Sequence, residues 1–254
     1  MLVVDTHTHV ISGDHQRYPL RVGDYPGVEW VHEAPITVEE LRVEMGGAGV
    51  DRAILVQAQG AYGTDNSYIV AARSAHPGIL GAVAIVDDPA ELDPLAAAGV
   101  GGVRLFAIGG EGLLHHEATW DAARRLGLRV SAATVPDHLP ALGKALAANP
   151  DVALALDHCG FAPETMGDYA HLPNLYLKVT PHVLDSGDPA SVLQRLAEQF
   201  GLDRIMWGSD YSQTHDRPYR ELVDQARAAC SNMSTPEQAQ FLGGTALDLW
   251  PELH

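Results

Sequence analysis

Runs of apolar, often β-branched residues recur along the chain, and stretches with helical signals separate them. Runs such as RAILVQ and VALALD lack a regular polar alternation, which is typical of parallel strands that are buried on both faces. The pattern predicts eight strands, near residues 2–5, 52–57, 80–85, 101–106, 128–133, 152–157, 175–180 and 204–209.

The segments between these runs carry start and stop signals for helices. Thr37 opens a capping-box pattern with Glu40, and Gly46 and Gly47 end that segment. Further helices are predicted over residues 120–126, 138–148, 190–200 and 236–242. Their start signals are Thr119, Asp137, Pro189 and the pair Ser234-Thr235.

Eight strands that alternate with helices in 254 residues predict a single (β/α)8 TIM barrel over residues 1–254. A doubly wound open sheet is the alternative architecture, but no glycine-rich phosphate turn follows the first strand. Residues 10–36 interrupt the alternation and are rich in Gly, Pro and aromatic residues. Because so long a loop in a compact domain is usually functional, we expect it to lie over the C-terminal face of the barrel.

The charge of the chain narrows the class of partner. The chain has 16 Lys and Arg residues against 33 Asp and Glu residues, a formal net charge of −17, which argues against nucleic acid or a membrane as a partner. The sequence shows no membrane span or signal peptide, and Cys159 and Cys230 do not suggest a disulfide framework. We therefore expect a cytoplasmic protein that binds a small-molecule substrate, and apolar helix faces would allow a homo-oligomer.

Polar side chains gather where three of the predicted strands end. The first strand runs into His7 and His9, the sixth into His158 and the eighth into Asp210. Side chains alternate along a strand, so His7 and His9 should face the same side. The catalytic groups of a TIM barrel come from the C-terminal ends of its strands. We therefore expect these four residues to converge in a catalytic site.

A second set of polar residues could bind the substrate on the same face. Arg104 lies on the fourth predicted strand and Lys178 on the seventh. Such cations anchor carboxylates, but they are equally compatible with buried ion pairs of the barrel. The other candidates are Arg17, Tyr62, Asn66 and His182. Asn66 could instead be a turn residue, and Tyr62 could only pack.

These motifs together resemble the amidohydrolase superfamily, in its amidohydrolase 2 type. The resemblance rests on HTH at 7–9, DHCG at 157–160 and WGSDY at 207–211, and on FLGGTALDLW at 241–250, where Thr245 replaces a usual Asn. Residues 5–20, 57–68, 102–106 and 175–182 resemble the branch that contains 2-pyrone-4,6-dicarboxylate lactonase and sugar-acid lactonases. The resemblance spans nearly the whole chain and implies a TIM-barrel enzyme.

The departures from the family pattern concern metal ligands. Metal-dependent members commonly add a His from strand five, and binuclear members add a carbamylated Lys from strand four. Here residues 130–134 read VSAAT, and strand four carries Arg104. Two histidines and an Asp could still make an open zinc site, formed by His7, His9 and Asp210. Because the pyrone lactonase is described as metal-free, the resemblance favours an enzyme without a cofactor, with zinc as the alternative.

The hypothesis that follows is a hydrolase that opens a lactone or related cyclic ester of a small, carboxylated metabolite. Asp210 would act as general base on a water molecule, while His7, His9 and His158 stabilise the oxyanion. The chain has fewer candidate cations than the pyrone lactonase uses, which favours a monoanionic or neutral lactone. Three alternatives stay open: a zinc-dependent decarboxylase or other metal-dependent amidohydrolase, a lactone isomerase, and a barrel that only binds a ligand.

Overall fold

A computed structural model of the chain describes residues 1–23, 27–107 and 116–254, so residues 24–26 of the predicted loop lie outside the described residues. Its eight parallel strands each pair with the next one in sequence. They are β1 Val4–Thr8, β2 Arg52–Val56, β3 Leu80–Ala84, β4 Gly102–Ala107, β5 Arg129–Thr134, β6 Leu154–Leu156, β7 Leu175–Val179 and β8 Ile205–Trp207. An isolated bridge joins Thr8 of β1 to Tyr211, which follows β8, so the two edges of the sheet meet there. The predicted (β/α)8 TIM barrel is thereby confirmed.

Helices follow the strands around the barrel. They are α1 Trp30–Glu33, α2 Val38–Ala48, α3 Gln59–Tyr62, α4 Ser67–Ala75, α5 Leu92–Ala97, α6 Glu117–Leu126, α7 Leu139–Ala148, α8 Pro181–Leu184, α9 Pro189–Phe200, α10 Tyr219–Ala229, α11 Thr235–Ala239 and α12 Thr245–Leu249. The capping box at Thr37 is present. The predicted start of the helix at Thr119 was wrong, because α6 begins at Glu117. No helix among the described residues is long and apolar enough to cross a membrane.

The first strand extends further than its apolar run predicted. β1 includes Thr6, His7 and Thr8, although the prediction ended at residue 5. These polar side chains are buried because neighbouring strands satisfy their hydrogen bonds. The Thr6 hydroxyl donates to the Trp207 carbonyl over 2.6 Å, and the Thr8 hydroxyl donates to the Ile54 carbonyl over 3.1 Å. Hydrophobic patterning misses such a segment, because its polar groups are satisfied across the sheet.

The sixth strand is shorter than predicted. β6 ends at Leu156, and the chain then turns through left-handed backbone at four consecutive residues: His158 (φ 54°), Cys159 (φ 50°), Gly160 (φ 60°) and Phe161 (φ 56°). This conformation costs an L-residue roughly 1–2 kcal/mol. Strand alternation therefore does not decide where the side chains of His158 and Cys159 point, because β6 has ended before them. Strained backbone of this kind concentrates at functional sites.

Apolar side chains fill the N-terminal half of the barrel. The interior residues Val4, Ile54, Val83 and Met206 pack with Trp250 and Leu253 from the C-terminal segment, and all six are buried. A second, larger apolar layer lies between the strands and the helices. Since the lower half of the barrel is closed by this packing, the polar interior residues near the C-terminal strand ends form its upper half.

Candidate active site

Asp210 lies at the centre of the polar upper half. Its Oδ1 is 3.5 Å from Nε2 of His7 and 3.5 Å from Nε2 of His9. Its Oδ2 is 3.2 Å from Nε2 of His182 and accepts a hydrogen bond from the Thr214 hydroxyl over 3.0 Å. Burial opposes ionisation of Asp210, but the surrounding imidazoles outweigh it and hold the pKa of this carboxyl well below its usual range. The site therefore contains a carboxylate at neutral pH.

Two of the neighbouring imidazoles are oriented through their Nδ1 atoms. Nδ1 of His9 lies 2.8 Å from the Val56 carbonyl, which can only accept, so a neutral His9 directs an Nε2 lone pair towards Asp210. Nδ1 of His158 lies 2.8 Å from the Thr180 hydroxyl. Burial lowers the pKa of His158 to about 4, so its ring is neutral near pH 7. Both rings are thus fixed in place by the strand ends around them.

The structure brings the four predicted catalytic residues together. The ring centroid of His7 lies 5.0 Å from that of His9 and 5.1 Å from that of His158. All three rings and Asp210 are buried. His182, predicted only as a substrate ligand, joins them: its ring lies 5.1 Å from that of His158, and its hydrogen bond with Asp210 raises its pKa.

A buried charge network forms the floor of the site. Asp157 lies 2.9 Å from Nζ of Lys178, accepts a hydrogen bond from Nε of Arg104 over 2.9 Å, and accepts another from the Ser131 hydroxyl over 2.8 Å. Its Oδ1 is also 3.4 Å from Nδ1 of His7. Burial disfavours the charged form, but Lys178, His7 and Arg104 outweigh it and hold the pKa of Asp157 well below its usual range. Two carboxylates and two cations therefore lie around His7.

Three atoms of this site suit a metal ion by position and type. Nε2 of His7, Nε2 of His9 and Oδ1 of Asp210 are buried and make no hydrogen bond within the described part of the chain. All lie within 4.8 Å of one another. Imidazole nitrogen and carboxylate oxygen are common ligands of catalytic zinc, which often has three protein ligands. A second such group consists of His158, His182 and Asp210.

A small cavity of about 240 Å³ opens onto this site. Three aromatic rings line it, and each packs against a polar residue. Trp30 lies 5.5 Å from the His9 ring, Phe161 lies 4.9 Å from the His158 ring, and the Arg104 guanidinium lies 4.8 Å over Phe106. The other lining residues are Gly27, Val28, Gln59, Gly60, Ala133 and Gln213. Gly27, Val28 and Trp30 belong to the long loop that the sequence singled out.

Lys178 and Arg17 do not lie where a substrate in this cavity would meet them. The Lys178 side chain is completely buried beneath the site, where its amine contacts Asp157, Ser131 and His7. Arg17 is exposed, stacks on the Tyr18 ring and borders a different cavity. The positive charge of each residue suggested a carboxylate anchor, but the charge alone could not show that the Lys178 amine lies buried among Asp157, Ser131 and His7.

Tyr62 and Asn66 have structural contacts instead of cavity positions. The Tyr62 hydroxyl accepts a hydrogen bond from the Ser12 amide over 2.7 Å. The Asn66 side chain exchanges two hydrogen bonds with the backbone of Ile85, at 2.7 and 2.9 Å. Of the six predicted substrate ligands, Arg104 lines the small cavity, and His182 borders a neighbouring cavity of about 600 Å³.

Sequence reasoning missed Asp157, Ser131 and Phe161. The signal for Asp157 in the sequence is its place directly before His158 at a predicted strand end. Ser131 gave no signal, because one serine in an apolar strand is common. Phe161 is 48 % exposed at the rim of the cavity, and a left-handed turn that no local pattern predicted places it there.

The chain matches one family model and resembles several solved structures. The amidohydrolase family model matches residues 4–251. A provisionally named 2-pyrone-4,6-dicarboxylic acid hydrolase from Pseudomonas putida is 24 % identical, with a TM-score of 0.80 over 99 % of this chain and 98 % of that one. An amidohydrolase from Burkholderia multivorans with bound zinc is 18 % identical, with a TM-score of 0.78 over 99 % of both chains.

A third similar structure is a 5-carboxyvanillate decarboxylase from Sphingomonas paucimobilis. It is 16 % identical, with a TM-score of 0.72 over 98 % of this chain and 99 % of that one. No curated protein matches this sequence. The structural likenesses establish a shared fold, and the family match confirms the resemblance drawn from the motifs.

Proposed function

Because the chain belongs to the amidohydrolase family, we propose that it is a hydrolase that opens a lactone or related cyclic ester of a small, carboxylated metabolite. The observation that carries this proposal is the buried carboxyl group of Asp210, which lies among His7, His9 and His182 and next to a small cavity that His9 and His158 line. Clusters of perturbed titratable groups in a cleft are the usual signature of acid–base chemistry.

The proposed reaction uses Asp210 as the general base. A water molecule attacks the ester carbonyl and transfers a proton to Asp210, while imidazole N–H groups stabilise the oxyanion. The bond to the ring oxygen then breaks, and that oxygen takes the proton, so the product is a hydroxy acid. A carboxylate with a lowered pKa is a weak base, and its hydrogen bond with His182 raises the pKa of that imidazole. His182 can therefore give its proton to the leaving oxygen and take up the proton that Asp210 received from the water, which returns both groups to their starting states.

The cavity supports a small substrate with one carboxylate. Its volume of about 240 Å³ suits one ring, and the aromatic side chains Trp30, Phe106 and Phe161 suit a flat one. Arg104 borders the same space and can anchor a carboxylate. The name of the Pseudomonas protein, a hydrolase of 2-pyrone-4,6-dicarboxylic acid, supports the cyclic ester. With Lys178 and Arg17 outside the cavity, a monoanionic substrate fits better than a dicarboxylate.

The unpaired atoms of His7, His9 and Asp210 favour a second candidate, a zinc-dependent amidohydrolase or decarboxylase. The zinc in the Burkholderia protein and the decarboxylase from Sphingomonas support it. These three residues would hold the ion, and bound zinc would polarise a carbonyl and acidify a water molecule. His158 would then serve as the acid–base group. A lactone isomerase would use the same residues as the hydrolase and differ in its product.

The test combines metal analysis with a lactone panel. The full chain is assayed by elemental analysis, and its products from mono- and dicarboxylate lactones are identified by NMR before and after chelation. We expect a hydroxy acid, unchanged turnover after chelation, loss of turnover in Asp210→Asn, and normal turnover in the exposed control Asp224→Asn. Zinc content with loss on chelation or release of carbon dioxide would favour the second candidate, and a rearranged lactone would indicate an isomerase. A protein that turns over none of these compounds contradicts the proposal.

A further inference from the structure

The two ring nitrogens of His7 face different parts of the site. Nε2 points to Oδ1 of Asp210 at 3.5 Å, and Nδ1 lies 3.3 Å from Nζ of Lys178 and 3.4 Å from Oδ1 of Asp157. A neutral imidazole carries one N–H group, so one nitrogen donates and the other accepts. The group that contacts Nδ1 therefore determines whether Nε2 faces Asp210 with an N–H donor or with a lone pair.

The donor count at Lys178 assigns the acceptor role to Nδ1. An ammonium group has three N–H donors and no acceptor. The amine of Lys178 lies 2.8 Å from the Ser131 hydroxyl and 2.9 Å from Asp157, which leaves its third N–H for Nδ1 of His7. If Nδ1 carried a proton, it could donate only to Oδ1 of Asp157 at 3.4 Å, which already contacts Lys178 and Ser131, and one N–H of the buried amine would lack an acceptor. The proton of His7 therefore belongs on Nε2.

With the proton on Nε2, the three unpaired atoms complement a water molecule. The Nε2–H of His7 donates to the water oxygen. The lone pair on Nε2 of His9 and Oδ1 of Asp210 each accept one of its two hydrogens. Three partners of this kind are what a buried water usually has. With the proton on Nδ1 instead, all three atoms would be acceptors, and they would complement a cation.

The charges around His7 also favour a water molecule over a divalent metal ion. Lys178 and Arg104 balance Asp157 and Asp210 in the described part of the site, and all four side chains are buried. A divalent ion at His7, His9 and Asp210 would add two positive charges. Among the described residues, the one further carboxyl group buried beside His7, that of Asp5, already accepts hydrogen bonds from the His7 and Ser209 amides and from the Tyr219 hydroxyl. Buried charge without a partner is strongly unfavourable.

We infer that Lys178 fixes the proton of His7 on Nε2 and thereby makes the group His7, His9 and Asp210 a site for the attacking water in place of a divalent metal ion. Lys178 is a positioning residue in this arrangement, because it acts through His7 and does not reach the cavity. The inference rests on the proposed hydrolysis by Asp210, but its test needs no substrate. If the lactone assay fails, the measurements of the His7 tautomer and of zinc affinity can therefore still be interpreted.

The first measurement is the tautomer of His7 in the wild-type protein. Long-range proton–nitrogen correlation spectra of histidine-labelled protein distinguish Nε2–H from Nδ1–H, and the His7 signals are identified by their loss in His7→Asn. We expect the Nε2–H form. An Nδ1–H form would overturn the inference, and this result does not depend on the folding of any Lys178 variant.

The second measurement is zinc affinity, with zinc ion alone as the probe. Lys144 and Lys178 are the lysines of this chain, and Lys144 is exposed on α7, so Lys144→Met is a matched control for Lys178→Met. Removal of the Lys178 amine lets Nδ1 of His7 donate to Asp157 and frees the Nε2 lone pair. We expect Lys178→Met to bind zinc roughly tenfold or more tightly than wild type in a chelator competition, and Lys144→Met to match wild type. Wild-type zinc affinity equal to that of Lys178→Met would overturn the inference.

Discussion

Gly208 lies so close to His7 that a Cβ built on it would be 2.9 Å from the Cβ of His7. β8 and β1 meet at this point, and the lack of a side chain on Gly208 gives the His7 ring its place between Asp157 and Asp210. Gly208, directly after β8, therefore helps to position the His7 side chain on β1.

Gly208→Ala should displace His7. We expect a loss of stability of about 1–3 kcal/mol, typical of overpacking, and a larger fractional loss of turnover than of folded protein. Gly46→Ala is the control, because a Cβ there meets no described atom within 4 Å, and Ala in the interior of α2 should stabilise the protein by up to about 1 kcal/mol. Denaturant unfolding and lactone assays check both. A fully active Gly208→Ala protein would show that the position of His7 is not critical.

Asp157→Asn should be strongly destabilising, because it leaves the buried cations of Lys178 and Arg104 without their carboxylate. Loss of one partner from a buried ion pair typically costs about 3–5 kcal/mol. The matched control is Asp93→Asn, which breaks an exposed pair with Arg125 and should leave stability nearly unchanged. Urea unfolding of the two variants decides the point, and equal losses would contradict the proposed role of the network.

Arg104 and Arg17 should differ in their effect on substrate binding. Arg104→Gln removes the guanidinium that borders the small cavity, and we expect KM for a carboxylated lactone to rise about 10- to 100-fold, as for loss of a charge-assisted hydrogen bond. Arg17→Ala should leave KM unchanged, because Arg17 borders another cavity. Steady-state kinetics of both variants provide the measurement. A higher KM in Arg17→Ala alone would instead identify Arg17 as the residue that binds the substrate.

Glu252 should make stability depend on pH. Burial raises the pKa of this carboxyl above its ordinary value of 4.5, although Arg129 and Arg73 oppose the shift. A raised carboxyl pKa gives stability that is fully present below 4.5 and is lost as pH rises through the pKa of the folded state. Glu252→Gln stays neutral, so it should be more stable than wild type at pH 7, and the difference should shrink towards pH 4.5. Unfolding curves between pH 4.5 and pH 7 measure this difference in stability, with a substitution of an exposed residue, Glu44→Gln, as the control.

The hydrophobic pattern predicted most of the fold, and its errors at the strand ends have a common cause. The eight apolar runs were located, because parallel strands buried on both faces are apolar throughout. The predicted ends of β1 and β6 were wrong, because Thr6 and Thr8 form hydrogen bonds with neighbouring strands and because residues 158–161 turn through left-handed backbone. Partners that are distant in sequence supply these hydrogen bonds, so no local window contains the signal.

The sequence by itself determined the barrel and the meeting of His7, His9, His158 and Asp210, because the C-terminal ends of parallel strands share one face. Only the tertiary structure decided how these groups are paired. Nζ of Lys178 meets Nδ1 of His7 across 171 residues of chain, and Arg104 meets Asp157 across 53. Strand alternation tells which side chains enter the barrel. Which of them come within hydrogen-bonding distance depends on the stagger of all eight strands and on the depth at which each side chain lies.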